Sequence, residues 1–131
     1  MKQKEKATLL VRAPRTPAGE YRWLLTGRDG RREEGVITTA ESLPQREPSC
    51  RTLLLLPASL CVLWQEPSGG RKPRPSATVL LWQREEHLLV DAEQLHAGDV
   101  LRTGAEAWLA AVDTRQLRAW LEALASWRLT P

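Results

Sequence analysis

The spacing of apolar positions changes period at Asp113, and the rest of the chain is organised around that boundary. Before it, Trp108 and Ala110 alternate with Leu109 and Ala111 and run on into Val112. Both faces are apolar, which predicts a strand covered on both sides. After it, Leu117, Trp120, Leu121, Leu124 and Trp127 recur at helical spacing, with Arg115, Arg118, Glu122 and Arg128 largely opposite. Asp113 is placed to cap that helix, because its carboxylate can accept N–H groups of the first turn. Gln116 stands at the reciprocal position of a capping box. The stripe predicts a core-facing Trp120. Trp127, at its frayed end, should be partly exposed and open to a partner or to further chain.

Upstream, the pattern is shorter in period. Lys6 to Ala13 predicts a first strand ending before Pro14, residues 15–19 a loop, and Glu20 to Thr26 a second strand. Arg28-Asp29-Gly30 supplies a hairpin turn, since Asp-Gly readily takes left-handed conformations. Glu33 to Thr39 completes an antiparallel meander, and Ala40 to Gln45 has the length of one helical turn before Pro48. Arg51 to Leu56 is a continuous apolar run of the kind found inside a covered sheet. Pro57-Ala58-Ser59 breaks it, and Leu60 to Gln65 resumes as a strand. Residues 66–76, rich in Pro and Gly, read as an exposed connection whose Arg71, Lys72 and Arg74 are solvated. Ser76 can cap Ala77 to Val90, a segment that is strand-like in TVLLW and helix-like in WQREEHLL. Asp91 to His96 leads through Ala97-Gly98 into a strand from Val100 to Thr103. The second half then reads strand, helix, strand, strand, helix.

Composition narrows the function classes. With 131 residues the chain can make one domain or two small lobes. Its net charge of +3 is small and its charges are interspersed. No basic run carries interleaved aromatics to stack on bases, so nucleic-acid binding is not expected. Cys50 and Cys61 make neither a disulfide framework nor a metal cluster, which suits a reducing compartment. The apolar part of the amino terminus, Ala7 to Val11, is too short for a signal peptide, and Leu53 to Trp64 is too short to cross a bilayer. The chain as given is therefore expected to be soluble. His87 and His96 have no Cys or carboxylate at ligand spacing. Ser59, in PASLC, lacks the glycines of a nucleophile elbow. Glu85 and Glu86 diverge on a helix. Gly69-Gly70 runs into Arg-Lys-Pro, which cannot open a phosphate-binding helix. No catalytic, cofactor-binding or metal-ligating set emerges.

The order of short motifs adds a resemblance. Leu56-Pro57 ends one strand and leads into another. Glu85 to Leu89 is an acidic helix end, Asp91 to His96 reads DAEQLH, and Trp108 to Asp113 is a strand ending in Asp. Arg115 to Leu124 then reads RQLRAWLEAL, and Tyr21-Arg22-Trp23-Leu24 lies on the second strand. In this order they resemble the cytoplasmic amino-terminal region of type II secretion system protein L, the general secretion pathway L protein. The resemblance extends over essentially the whole chain.

That resemblance implies an α+β fold: a partial actin-like ATPase (ribonuclease H-like) lobe over residues 1–58. An inserted strand-helix-strand-strand-helix module would occupy 59–131, and Ala77 to Val90 would be helical. It implies a scaffold at the cytoplasmic face of the bacterial inner membrane that recruits the secretion ATPase, component E, through that enzyme's amino-terminal domain. In the full-length protein, pairing with component M, self-association and membrane attachment would come from segments this chain lacks. The alternative is a nucleotide-dependent actin-like ATPase. Such enzymes place magnesium and phosphate with an acidic residue and glycines in the first hairpin. Here Arg12 to Gly19 offers no carboxylate, and two prolines remove backbone donors. No enzyme activity and no cofactor are expected. A small basic nucleic-acid-binding protein ranks behind both readings.

Overall fold

A computed structural model describes residues 6–67, 76–83, 85–88, 90–98, 101–103 and 106–131. The basic cluster Arg71, Lys72 and Arg74 lies outside the described residues. The chain divides into two compact units, 1–57 with 119–131 and 58–118. An opening lobe over residues 1–58 and an inserted module over 59–131 stay an expectation from the family resemblance.

The first unit holds the meander β1 (Thr8–Arg12), β2 (Tyr21–Thr26) and β3 (Arg32–Ile37), with β4 (Arg51–Leu55) added parallel to β1. The sheet order is β3-β2-β1-β4. Alternation sets the faces. Leu9, Val11, Tyr21, Trp23, Leu25 and Ile37 are buried on one side. The tip of the β2–β3 hairpin needs a left-handed residue, and Gly30 supplies it at φ 82°. Asp29 Oδ1 accepts the Arg31 N–H across the same turn. Gly35 lies opposite Trp23, whose ring occupies the space where a side chain would stand: a Cβ there would be 2.8 Å from Cζ2. Between β3 and β4 the expected helical turn is a short 3-10 turn, Ala40–Ser42.

β4 departs from expectation. It is an edge strand rather than a central one, and only Thr52 and Leu54 turn towards the covered side. Leu53 and Leu55 remain exposed. A run of leucines records hydrophobicity but not what lies against each face.

The second unit is built on β8 (Glu106–Asp113), paired along one edge with β5 (Cys61–Pro67). β6 (Leu95–Ala97) and β7 (Leu101–Thr103) follow each other along the other edge. The short helix α1 (Ala77–Gln83) starts at Ser76, whose Oγ accepts the Val79 N–H. It buries Leu81 against Ala92 and Ala111, with Trp64, Leu88, Leu95 and Ala97 around them. That packing overrides the strand propensity of TVLLW. The segment then passes through a 3-10 turn, Glu85–His87, so it is not one continuous helix. β8 is not covered on both sides as expected. Ala107, Leu109 and Ala111 are buried, but Ala110 is exposed, and Leu63 across from it is 63% exposed.

Helix α2 (Thr114–Ser126) follows β8 directly. Asp113 Oδ1 accepts the Gln116 N–H at 3.0 Å, the expected cap. Trp120 and Leu124 are fully buried, while Leu121, expected on the same stripe, is 39% exposed. It lies at the margin of the stripe, and the packed arc is narrower than the apolar one. The helix stops in a Schellman motif. Leu129 N–H reaches Leu124 O, Arg128 N–H reaches Ala125 O, and Arg128 takes φ 60°.

Candidate functional site

The part of the molecule where function can be tested against geometry is the hairpin between β1 and β2. Arg12 ends β1, and the chain turns through two prolines before β2 begins at Tyr21. Ala13 N–H donates to Leu55 O at 2.9 Å, anchoring the hairpin to β4. Trp120 Nε1 donates to Pro14 O at 3.0 Å, and Tyr21 Oη donates to Pro17 O at 2.8 Å. The carbonyls of both prolines are thus engaged by aromatic side chains of the same unit. Prolines cannot donate backbone hydrogen bonds, and no carboxylate lies between Arg12 and Gly19. This hairpin is a packing joint. Burial pushes the Tyr21 phenol above its ordinary pKa.

Trp127, the residue singled out for partner contact, lies just beyond α2 and is partly buried. Its ring meets Tyr21 edge-on, with centroids 4.9 Å apart and planes at 75°. Sequence reasoning found Trp127 by its place on the stripe. Its contact with Tyr21 carried no sequence signal, because the two rings are brought together only by the fold.

The other chemistry-bearing residues stay apart. Ser59 is exposed in a 3-10 turn, Ala58–Leu60. Glu85 Oε1 accepts the Ala92 N–H, His87 belongs to the turn Glu85–His87, and His96 is exposed on β6. Among the described residues no group of His, Cys, Asp or Glu could hold a metal ion. Neither Cys50 nor Cys61 is part of a disulfide, and burial raises the pKa of Cys61. An open cleft of about 470 Å³ at the start of α2 is lined by Glu93, Gln94, Arg115 and Arg118 together with Asp113 and Thr114. The Asp113 carboxylate already accepts from the helix amino terminus there, so the cleft offers mixed charge and no focused anion or cation site. Among the described residues no helix is long and apolar enough to cross a membrane. Sequence reasoning missed the open face of the first sheet. Its leucines and arginines share a side only once the strand register is known.

A scan against protein-family models and a search of curated proteins each found no match. Among solved structures, the chain is similar to the cytoplasmic domain of EpsL, an inner-membrane component of the type II secretion system of Vibrio cholerae. The TM-score is 0.69 at 24% identity, and the match takes in 95% of this chain and 54% of that one. The chain thus spans about half the length of the structure it matches, and at this identity the likeness speaks for the fold. Over the half of the EpsL cytoplasmic domain that it spans, this chain shares that domain's fold, here a mixed α+β architecture of the class the sequence motifs implied.

Proposed function

We propose that this chain is the cytoplasmic adaptor part of a type II secretion inner-membrane platform, and that it recruits the secretion ATPase through that enzyme's amino-terminal domain. The observation that carries the reading is the likeness over 95% of the chain to a cytoplasmic domain from such a system. The ordered motifs support it. The DAEQLH segment enters β6, the strand from Trp108 ends on a capping Asp113, and the RQLRAWLEAL segment forms α2. A scaffold role rather than nucleotide hydrolysis is favoured by the first hairpin, which has no carboxylate for magnesium and whose proline carbonyls accept from Trp120 and Tyr21.

Titration calorimetry with the amino-terminal domain of a secretion ATPase at near-physiological salt tests this directly. Measurable heat and a complex on gel filtration are expected; no heat and no complex would sink it. The competing reading, an actin-like ATPase, is checked by melting temperature. A ligand at a hundred times its Kd would stabilise the fold by about 2.7 kcal/mol, so a reproducible rise with millimolar magnesium-ATP would revive the enzyme. No rise is expected.

A further inference from the structure

The face of the first sheet opposite its core carries a pattern that neither packing nor the first hairpin uses. Residues paired across strands share a face. Leu10 pairs with Leu24 on one side and with Leu53 on the other, forming a leucine row across β2, β1 and β4. One step along the strands, Arg12 pairs with Arg22, and on the opposite flank Thr8 pairs with Arg51. Leu10 and Leu24 are half-buried, Leu53 is 37% exposed, and the arginines are exposed. Arg22 has Glu20 at 3.2 Å, whereas among the described residues Arg12 and Arg51 have no ion-pair partner. The acidic contribution to the row is Glu34, opposite Leu24 at the β3 edge.

We propose that this face docks an acidic amphipathic helix of a partner protein, its apolar stripe on the leucine row and its flanking carboxylates on the arginines. The dimensions agree. Strands lie about 4.8 Å apart, so the row is about 10 Å long, two helical turns. Rows two residues apart along a strand are separated by about 6.7 Å, which places the arginines beneath the flanks of a helix lying along the leucines. Charge decides the occupant. A second copy would set Arg12 and Arg22 against like charges. A lipid surface would need protruding apolar side chains, and two of the three leucines are half-buried. The proposal does not depend on the adaptor reading, because it specifies the chemistry of the partner and not its identity.

The test uses the 131-residue chain. A fluorescent 18-residue synthetic helix with a leucine stripe flanked by glutamates is titrated in, beside the same peptide with lysines in place of the glutamates. The glutamate peptide is expected to bind at least tenfold more tightly and to weaken with salt. The Arg12→Glu/Arg22→Glu double variant, whose changes are at exposed positions, should lose at least tenfold in affinity with its melting temperature unchanged. Leu10→Gln should weaken binding of the glutamate peptide without abolishing folding. Equal binding of both peptides, no binding of either, or indifference to the double variant would overturn the proposal. Two further results would also overturn it by naming another occupant. One is sedimentation showing a dimer that the double variant dissociates. The other is binding to vesicles of acidic phospholipid that the variant abolishes. Binding of the secretion ATPase domain, measured separately on the double variant, tells failure of this face from failure of the adaptor reading.

Discussion

Truncating Trp120 is the sharpest test of how the first unit is held together. Its side chain is 0% exposed and its indole N–H donates to Pro14 O at 3.0 Å. Trp120→Ala removes a large buried ring and leaves a carbonyl without its donor, a combined loss of about 3 to 5 kcal/mol. With a urea m-value of about 1.5 kcal/mol/M, a loss of ~4 kcal/mol lowers the midpoint by roughly 2.7 M. Trp120→Phe deletes the hydrogen bond and only part of the ring, so it should cost less than the alanine change, about 2 to 3 kcal/mol. Trp127→Ala is the internal control. It is partly buried and loses an edge contact with Tyr21 worth about 0.5 to 1.5 kcal/mol beyond its area. Far-ultraviolet circular dichroism against urea, with unchanged m-values, reads all of them on one scale. Equal midpoints for the two alanine variants, or a larger loss at Trp127, would refute the assignment of the helix's buried face.

Other expectations follow from single positions. Arg128 holds φ 60°, where a side chain costs about 1 to 2 kcal/mol, so Arg128→Gly should raise stability by about 1 kcal/mol in the same urea assay. A Cβ at Gly35 would press on the Trp23 ring at 2.8 Å, so Gly35→Ala should destabilise by about 1 to 3 kcal/mol and perturb the near-ultraviolet spectrum. The Tyr21 phenol has its pKa raised above 10.0 by burial. The unfolded chain therefore loses that proton first, and stability present below that pH declines as pH rises through the folded value. Tyr21→Phe should flatten the alkaline limb of a stability–pH profile; an unchanged limb would remove Tyr21 as its cause.

Much of this was legible from local signals, and what was not has a common cause. The meander could be read because YRWLLT and REEGVI are separated by Asp29-Gly30, a turn with its own backbone chemistry. The boundary at Asp113 could be read because capping and helical period coincide there. β4 was misplaced because Leu53 to Leu55 are apolar whichever face they turn, and only the pairing with β1 makes it an edge. β6 was missed because Leu95–Ala97 is a strand by virtue of its backbone bonds to β8, not of any pattern in its side chains. Arg128 gave no warning of a left-handed turn, since glycine usually signals one. The open face of the first sheet is of the same kind. Leu10 and Leu24 are conspicuous as apolar residues on an outward side only after register is fixed.

The bond from Trp120 to Pro14 joins residues 106 positions apart, and this has a consequence for the order of events on the ribosome. Leu9, Val11 and Tyr21 are synthesised early, but residues 119–131, which belong to the same unit, follow only after residues 58–118. At about 5 to 20 residues per second, the opening sheet waits roughly 5 to 20 s with its future core bare. The second unit, residues 58–118, is made entirely within that interval. Nascent chains stalled before residue 119 should therefore expose the apolar side of the meander to chaperones, and emergence of the Trp120 to Leu129 segment should be the step that hides it.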